Sequence, residues 1–152
     1  MVGALLAFSR VVVAVAARSL ADVDEDVTLA QFRTLVVLGT SGPQRIVDLA
    51  QGLAVTSSTA TRMCNRLLRK GLAVRQERAE DRRATWIALT DAGRDLVVAV
   101  MNRRRQELAA LVADSSLTRP VAFAGTLNAL VEAAGELPDA QWWQRWRQLQ
   151  MH

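Results

Sequence analysis

Cysteine, histidine and lysine each occur once in this chain, at Cys64, His152 and Lys70. One cysteine excludes an internal disulfide and fits a reducing compartment. With no second histidine, no cysteine pair and no clustered carboxylates, the chain lacks the material for a zinc site or a cysteine–histidine nucleophile. No triad and no phosphate loop is present either. The reading therefore carries no catalytic residue, no metal ligand and no bound cofactor, and an enzyme is the less favoured class. Because a single lysine stands among nineteen basic residues, abundant arginine by itself says little, and its position says more.

Long uninterrupted apolar runs are also scarce. Residues 1–21 are apolar, yet Arg10 and Arg18 leave only seven uncharged residues between them, far short of the roughly 20 that span a bilayer. The start MVGALLAF has no basic residue ahead of its apolar stretch, as a secretory signal would. No membrane partner and a cytoplasmic location are expected. Leu5, Phe8, Val12, Val15 and Ala16 instead recur at helical spacing. A helix apolar over so much of its circumference needs burial from more than one side, and a second subunit is the economical source.

What is present is a chain of 152 residues and 51% hydrophobic composition, enough for one domain with its own core. Its net charge is +4, yet Val55 to Arg83 alone hold eight cations against three acids. A basic block in an otherwise balanced chain marks a surface for a polyanion.

Within that block, Thr56 to Gly71 reads TSSTATRMCNRLLRKG. Ala60, Met63, Cys64, Leu67 and Leu68 form one apolar stripe of a helix, with Thr56 as N-cap and Gly71 as its stop. Cys64 lies on that stripe, so it reads as a packed thiol in preference to a redox sensor. The opposite arc carries Ser57, Ser58, Thr59, Thr61, Arg62, Asn65, Arg66 and Arg69. Hydroxyls come first and cations after, an order suited to a helix whose N-terminal end points into a DNA groove.

Upstream, the acidic Asp22 to Asp26 reads as a solvated connector. Thr28 and Gln31 then form a T-x-x-Q capping box, with Val27 and Phe32 as its hydrophobic staple. Leu29, Phe32, Leu35, Val36 and Leu38 give the core face of a helix expected to stop within Gly39 to Pro43. A short helix with Ile46, Val47, Leu49, Ala50 and Leu53 inward follows, and Gly52 to Val55 turns into the stretch above. The pair reads as a helix-turn-helix.

After Gly71, LAVRQER and ATWIALT have strand character, with Leu72 and Val74 on one face of the first and Thr85, Ile87 and Leu89 on one face of the second. Between them AEDRRA is a charged hairpin tip. A ribbon directly after a recognition helix is a wing, and an arginine on it can enter a minor groove. Thr90 with Asp91 opens a long helix with Leu96, Val97, Val100, Met101, Leu108, Leu111 and Val112 as its apolar face. Its Arg103, Arg104 and Arg105 fan around the helix as solvated charge. Phe123, Leu127, Leu130, Val131 and Ala134 mark a further helix. After Pro138, the crowded Trp142, Trp143 and Trp146 read as a terminal helix packing its indoles on the protein body, in preference to a pocket lid or docking peptide.

From Val27 to Leu96 the chain resembles the MarR-type winged helix-turn-helix transcriptional regulators. The most specific segment is DRRATWIALTDAGR, which matches the family's D-x-R wing and L-T-x-x-G at Asp81, Arg83, Leu89, Thr90 and Gly93. The resemblance implies an obligate homodimer, recognition helices in adjacent major grooves, and Arg83 braced by Asp81 in the minor groove. It also implies a small effector, aromatic or lipophilic, that releases the DNA. The expected architecture is mainly α with a small β-wing, as a single domain over 1–152. Residues 1–26 form an N-terminal dimerisation helix, 27–90 the winged helix-turn-helix, and 91–152 the C-terminal dimerisation helices and tryptophan-rich tail. The expected function is a homodimeric repressor on double-stranded DNA. Thr56, Ser57, Ser58, Thr59, Thr61, Arg62, Asn65, Arg66, Asp81, Arg82 and Arg83 are its contact residues. A winged helix used only for protein interaction explains neither the polar arc nor the wing arginines.

Overall fold

The computed structural model describes residues 1–78 and 81–150; the side chains of residues 81–83 and 150 lie outside that description. The described residues form, in order, α1 (Val2–Ala21), α2 (Leu29–Ser41), β1 (Gln44–Arg45), α3 (Ile46–Gly52), α4 (Ser57–Arg69), β2 (Ala73–Arg78), β3 (Asp81–Leu89), α5 (Asp91–Ala113), α6 (Pro120–Ala133) and α7 (Asp139–Gln150). The three strands make one antiparallel sheet in the order β1-β3-β2. Mainly α with a small β-wing is therefore the observed fold class.

The start chemistry of α2 is as the sequence spells it. Gln31 N–H donates to Thr28 Oγ1 at 3.2 Å, and Thr28 N–H donates to Gln31 Oε1 at 3.3 Å. Val27 and Phe32 are both buried. The helix stops at Ser41, within the expected Gly39 to Pro43, but Leu29 is 41% exposed instead of facing the core. Its C-terminal end packs against α7, whose Trp142 and Trp146 are buried there.

In α3, Leu49 and Ala50 are buried, whereas Val47, expected inward, is 56% exposed. The turn into α4 lies within Gly52 to Val55, as expected. Gly52 closes α3 in helical conformation, and the left-handed residue is Ala54, at φ 54°.

The core is shared by α2, α3, α4, the sheet and the first half of α5, through Phe32, Leu35, Leu38, Leu49, Leu67, Ile87, Val97 and Val100. In β3, Ile87 and Leu89 are buried but Thr85 is exposed. In the first strand the inward residue is Ala73, Leu72 being buried just ahead of it, and Val74 is 47% exposed. The third strand, β1, was not legible in the sequence: two residues pairing with Ile87 and Trp86 leave no periodic signal.

The L-T-x-x-G segment turns out to be a joint. Thr90 Oγ1 accepts from Gly93 N–H at 3.1 Å, capping α5, and donates to Gly71 O at 2.7 Å. A Cβ at position 93 would collide with the Leu72 carbonyl, so only glycine lets α5 leave the sheet this closely.

Arg103, Arg104 and Arg105 are not merely solvated. Arg103 pairs with Asp22 at 2.7 Å, Arg105 pairs with Asp139 at 2.9 Å, and Arg104 lies 5.5 Å over the Phe32 ring. Because consecutive helix residues diverge by about 100°, one triplet ties α5 to the α1–α2 connector, α7 and α2. Burial pushes the Arg104 guanidinium below its ordinary pKa.

Helix α1 is long and apolar enough to cross a membrane by length and composition, its two arginines notwithstanding. The seven-residue gap between those arginines therefore does not by itself exclude a span. Its C-terminal end packs into the protein, with Val15, Ser19 and Leu20 buried and Arg18 bonded to Glu107 at 3.1 Å. The first eleven residues are exposed, Leu5 and Phe8 included, and α6 has no buried residue at all. Within this single chain those two helices remain uncovered, their burial having been expected from a second subunit.

Candidate nucleic-acid interface

Helix α4 is fixed at both ends by its own sequence. Thr56 Oγ1 accepts from Thr59 N–H at 3.2 Å at the N-terminus. At the other end Gly71 (φ 71°) closes a paired C-terminal motif, its N–H bonding Leu68 O and Leu72 N–H bonding Leu67 O. Between these ends Ala60, Met63, Cys64 and Leu67 are buried. The opposite arc of Ser57, Ser58, Thr61, Arg62 and Arg66 is exposed, with Thr59 and Asn65 half-buried.

The N-terminal hydroxyls of this arc form a chain. Thr56 Oγ1 lies 3.1 Å from Ser58 Oγ and 3.0 Å from Thr59 Oγ1, and an Arg62 Nη2–H donates to Thr59 Oγ1 at 3.4 Å. Thr61 Oγ1–H donates back to Ser57 O at 2.8 Å, so what it offers outward is an acceptor. The structure thus brings Thr56, Ser58, Thr59 and Arg62 together around the helix start. Asn65 belongs to a second group further along the helix, where Arg75 of β2 donates to its Oδ1 at 3.3 Å.

In the sheet, Trp86 of β3 is flanked by two guanidinium groups, Arg78 at 5.1 Å and Arg45 at 5.9 Å from its ring. Arg45 also grips Asp48 through two hydrogen bonds of 2.7 and 3.0 Å. That grip holds the Asp48 carboxyl below its usual pKa. Arg45, Arg75 and Arg78 were not singled out as contacts from sequence. Strand alternation hints at Arg75, but Arg45 sits on a strand visible only once β3 is in place.

The expected wing contacts Asp81, Arg82 and Arg83 belong to the first three residues of β3, with Asp81 pairing Arg78 across the ribbon. Their expected groove and phosphate contacts concern side chains outside the described residues. Pairing is regular from Ala73 to Gln76 and shifts between Gln76 and Arg78.

Helix, turn, second helix with a polar outer arc, and an antiparallel ribbon directly after it define a winged helix-turn-helix. Comparison with known proteins places it further. The sequence model of the MarR family matches residues 27–85. Among solved structures, Rv1404 from Mycobacterium tuberculosis is 42% identical, with a TM-score of 0.85 over 91% of this chain and 94% of that one. A MepR mutant from Staphylococcus aureus, solved bound to an oligodeoxyribonucleotide, shares the fold at 24% identity, with a TM-score of 0.64 over 88% and 98% of the two chains. YkoM of Bacillus subtilis (strain 168), described as an uncharacterized HTH-type transcriptional regulator, is 32% identical over 43% of this chain and 42% of its own. The chain thus spans less than half the length of the curated relatives it matches. The chain belongs to the MarR family.

Proposed function

We propose that this chain is a sequence-specific, DNA-binding transcriptional regulator acting as a homodimeric repressor in the cytoplasm. The observation that carries the reading is the division of α4 into a buried apolar stripe and an exposed arc of hydroxyls, an amide and cations. An arc of that composition has hydrogen-bonding groups for base edges and charge for phosphates. Thr56, Ser57, Ser58, Thr59, Thr61, Arg62, Asn65 and Arg66 form the major-groove surface, and Asp81, Arg82 and Arg83 the wing surface. That a MepR mutant of the same fold binds an oligodeoxyribonucleotide supports the assignment.

Dimerisation is supported by the exposed Leu5, Leu6 and Phe8 of α1 and the exposed Val121, Phe123 and Leu130 of α6, too much apolar surface for a lone soluble subunit. A two-fold dimer places its helices on half-sites about 10 bp apart. The whole chain forms one domain of each subunit. Release by a small aromatic or lipophilic ligand is supported by a cavity of about 590 Å³ lined by Met101, Arg104, Leu108 and Val112.

The test is selection of bound duplexes from random DNA, followed by a salt titration of affinity. A pseudo-palindrome is expected, with affinity falling steeply as salt rises. Arg62→Ala should cost about 1–3 kcal/mol and relax base preference, whereas Arg66→Ala should weaken all sequences alike. Salt-insensitive binding with no enriched sequence, or full affinity from a monomer, would defeat the reading.

A further inference from the structure

The bond between Arg75 and Asn65 spans the notch between β2 and α4, where the two line a cleft of about 490 Å³ with Leu68 and Arg69. The backbone on both sides is firmly held. Arg75 pairs with Ile87, whose side chain is fully buried, and Asn65 follows the fully buried Cys64. The contact is therefore built by the fold, although Arg75 itself is exposed.

We infer that Arg75 is a positioning residue that decides which chemical face of Asn65 the DNA groove meets; this rests on the DNA-binding reading above. A guanidinium carries five N–H donors and no acceptor. A carboxamide beside it can turn only its oxygen toward it, so Asn65 Oδ1 faces Arg75 and the Nδ2 amino group is turned away. An asparagine that selects adenine needs both ends, with Oδ1 accepting from N6–H and Nδ2 donating to N7. With Oδ1 turned toward Arg75, Asn65 presents its Nδ2 donors to the groove, where the acceptors are N7 of either purine, O6 of guanine and O4 of thymine. Asn65 in this chain thus does not select adenine against guanine, and it favours a base whose edge offers an acceptor.

A cation that only neutralised a phosphate would behave differently, because its loss weakens every sequence alike. The experiment is selection from a random duplex pool with the full-length wild type, Asn65→Ala, Arg75→Ala and Arg75→Lys, with thermal melts confirming that each folds. Asn65→Ala identifies the position in each half-site whose base preference depends on this side chain. At that position Arg75→Ala should favour adenine over guanine by about tenfold, because the freed amide can make the bidentate contact. Arg75→Lys supplies another donor-only partner and should keep the wild-type profile. An unchanged base profile in Arg75→Ala, with a uniform fall in affinity, overturns the positioning role and leaves a phosphate contact. Failure of the wild type to enrich any sequence overturns the DNA-binding reading instead.

Discussion

Gly39 of α2 and Trp146 of α7 occupy one space: a Cβ at position 39 would fall inside the Trp146 indole. The glycine sits two residues from the end of α2, where sequence reads it as a stop signal, but its use is to admit a neighbouring ring. Trp142 stacks on Trp146 at 5.4 Å, Trp143 meets Trp142 edge-on at 4.9 Å, and Arg145 Nε donates to Thr40 O at 2.6 Å. The tail is thereby docked on α2.

Gly39→Ala should therefore destabilise the protein by about 1–3 kcal/mol through overpacking, read by denaturant unfolding. Trp146→Ala should cost about 3–5 kcal/mol through the cavity it leaves. Since the two changes share one contact, the double variant should cost clearly less than their sum. Strict additivity would mean that the indole does not fill the notch.

The α3–α4 turn makes a prediction of opposite sign. Ala54 holds a left-handed conformation, which costs an L-residue roughly 1–2 kcal/mol. Ala54→Gly relieves that strain and loses about 0.4–1 kcal/mol to the freer unfolded chain, for a net gain of up to about 1.6 kcal/mol. Gly52 is helical with open space around its Cβ position, so Gly52→Ala should also stabilise, by about 0.5–1 kcal/mol. Destabilisation by Ala54→Gly would show that this residue does not carry the turn.

Cys64 is fully buried on the inner stripe of α4, and burial pushes its thiol above its ordinary pKa. A raised folded value means that the native protein holds the proton longer than the unfolded chain. Stability should thus be intact below the ordinary thiol pKa and decline as pH rises above it. Alkylation at pH 8 should run at least about a hundredfold slower than for a free thiol, because the side chain must first open to solvent. Rapid labelling of the native protein would contradict the packing.

For the wing, Arg83→Ala should weaken DNA binding strongly and Arg82→Ala mildly, and Asp81→Ala should weaken it as well. The Asp81 result is decisive, since removing a negative charge near DNA should strengthen binding if net charge alone mattered. The expectation rests on a carboxylate orienting a guanidinium two residues away, which lowers the roughly 2 kcal/mol of rotamer entropy lost on docking. Affinities of the three variants at one fixed salt concentration test it. Tighter binding by Asp81→Ala would make the wing a diffuse basic patch.

By itself the sequence determined whatever depends on near neighbours along the chain. The capping box of α2, the apolar stripe of α4, Thr56 as N-cap, Gly71 as stop and Thr90 as the cap of α5 all follow from hydrogen bonds and spacings within about four residues. Tertiary structure decided the rest, because it depends on which distant surfaces meet. Val47 and Val74 match the apolar pattern yet face outward, since none of the described residues comes to cover them. The two residues of β1 are a strand only because Ile87 and Trp86 lie beside them. Arg75 reaches Asn65 because the turn at Gly71 folds β2 back along α4, and Gly39 is required because Trp146, more than a hundred residues later, arrives at that spot. Local energetics write helix ends and faces into the chain, whereas partners across the fold are set by packing that no short window of sequence contains.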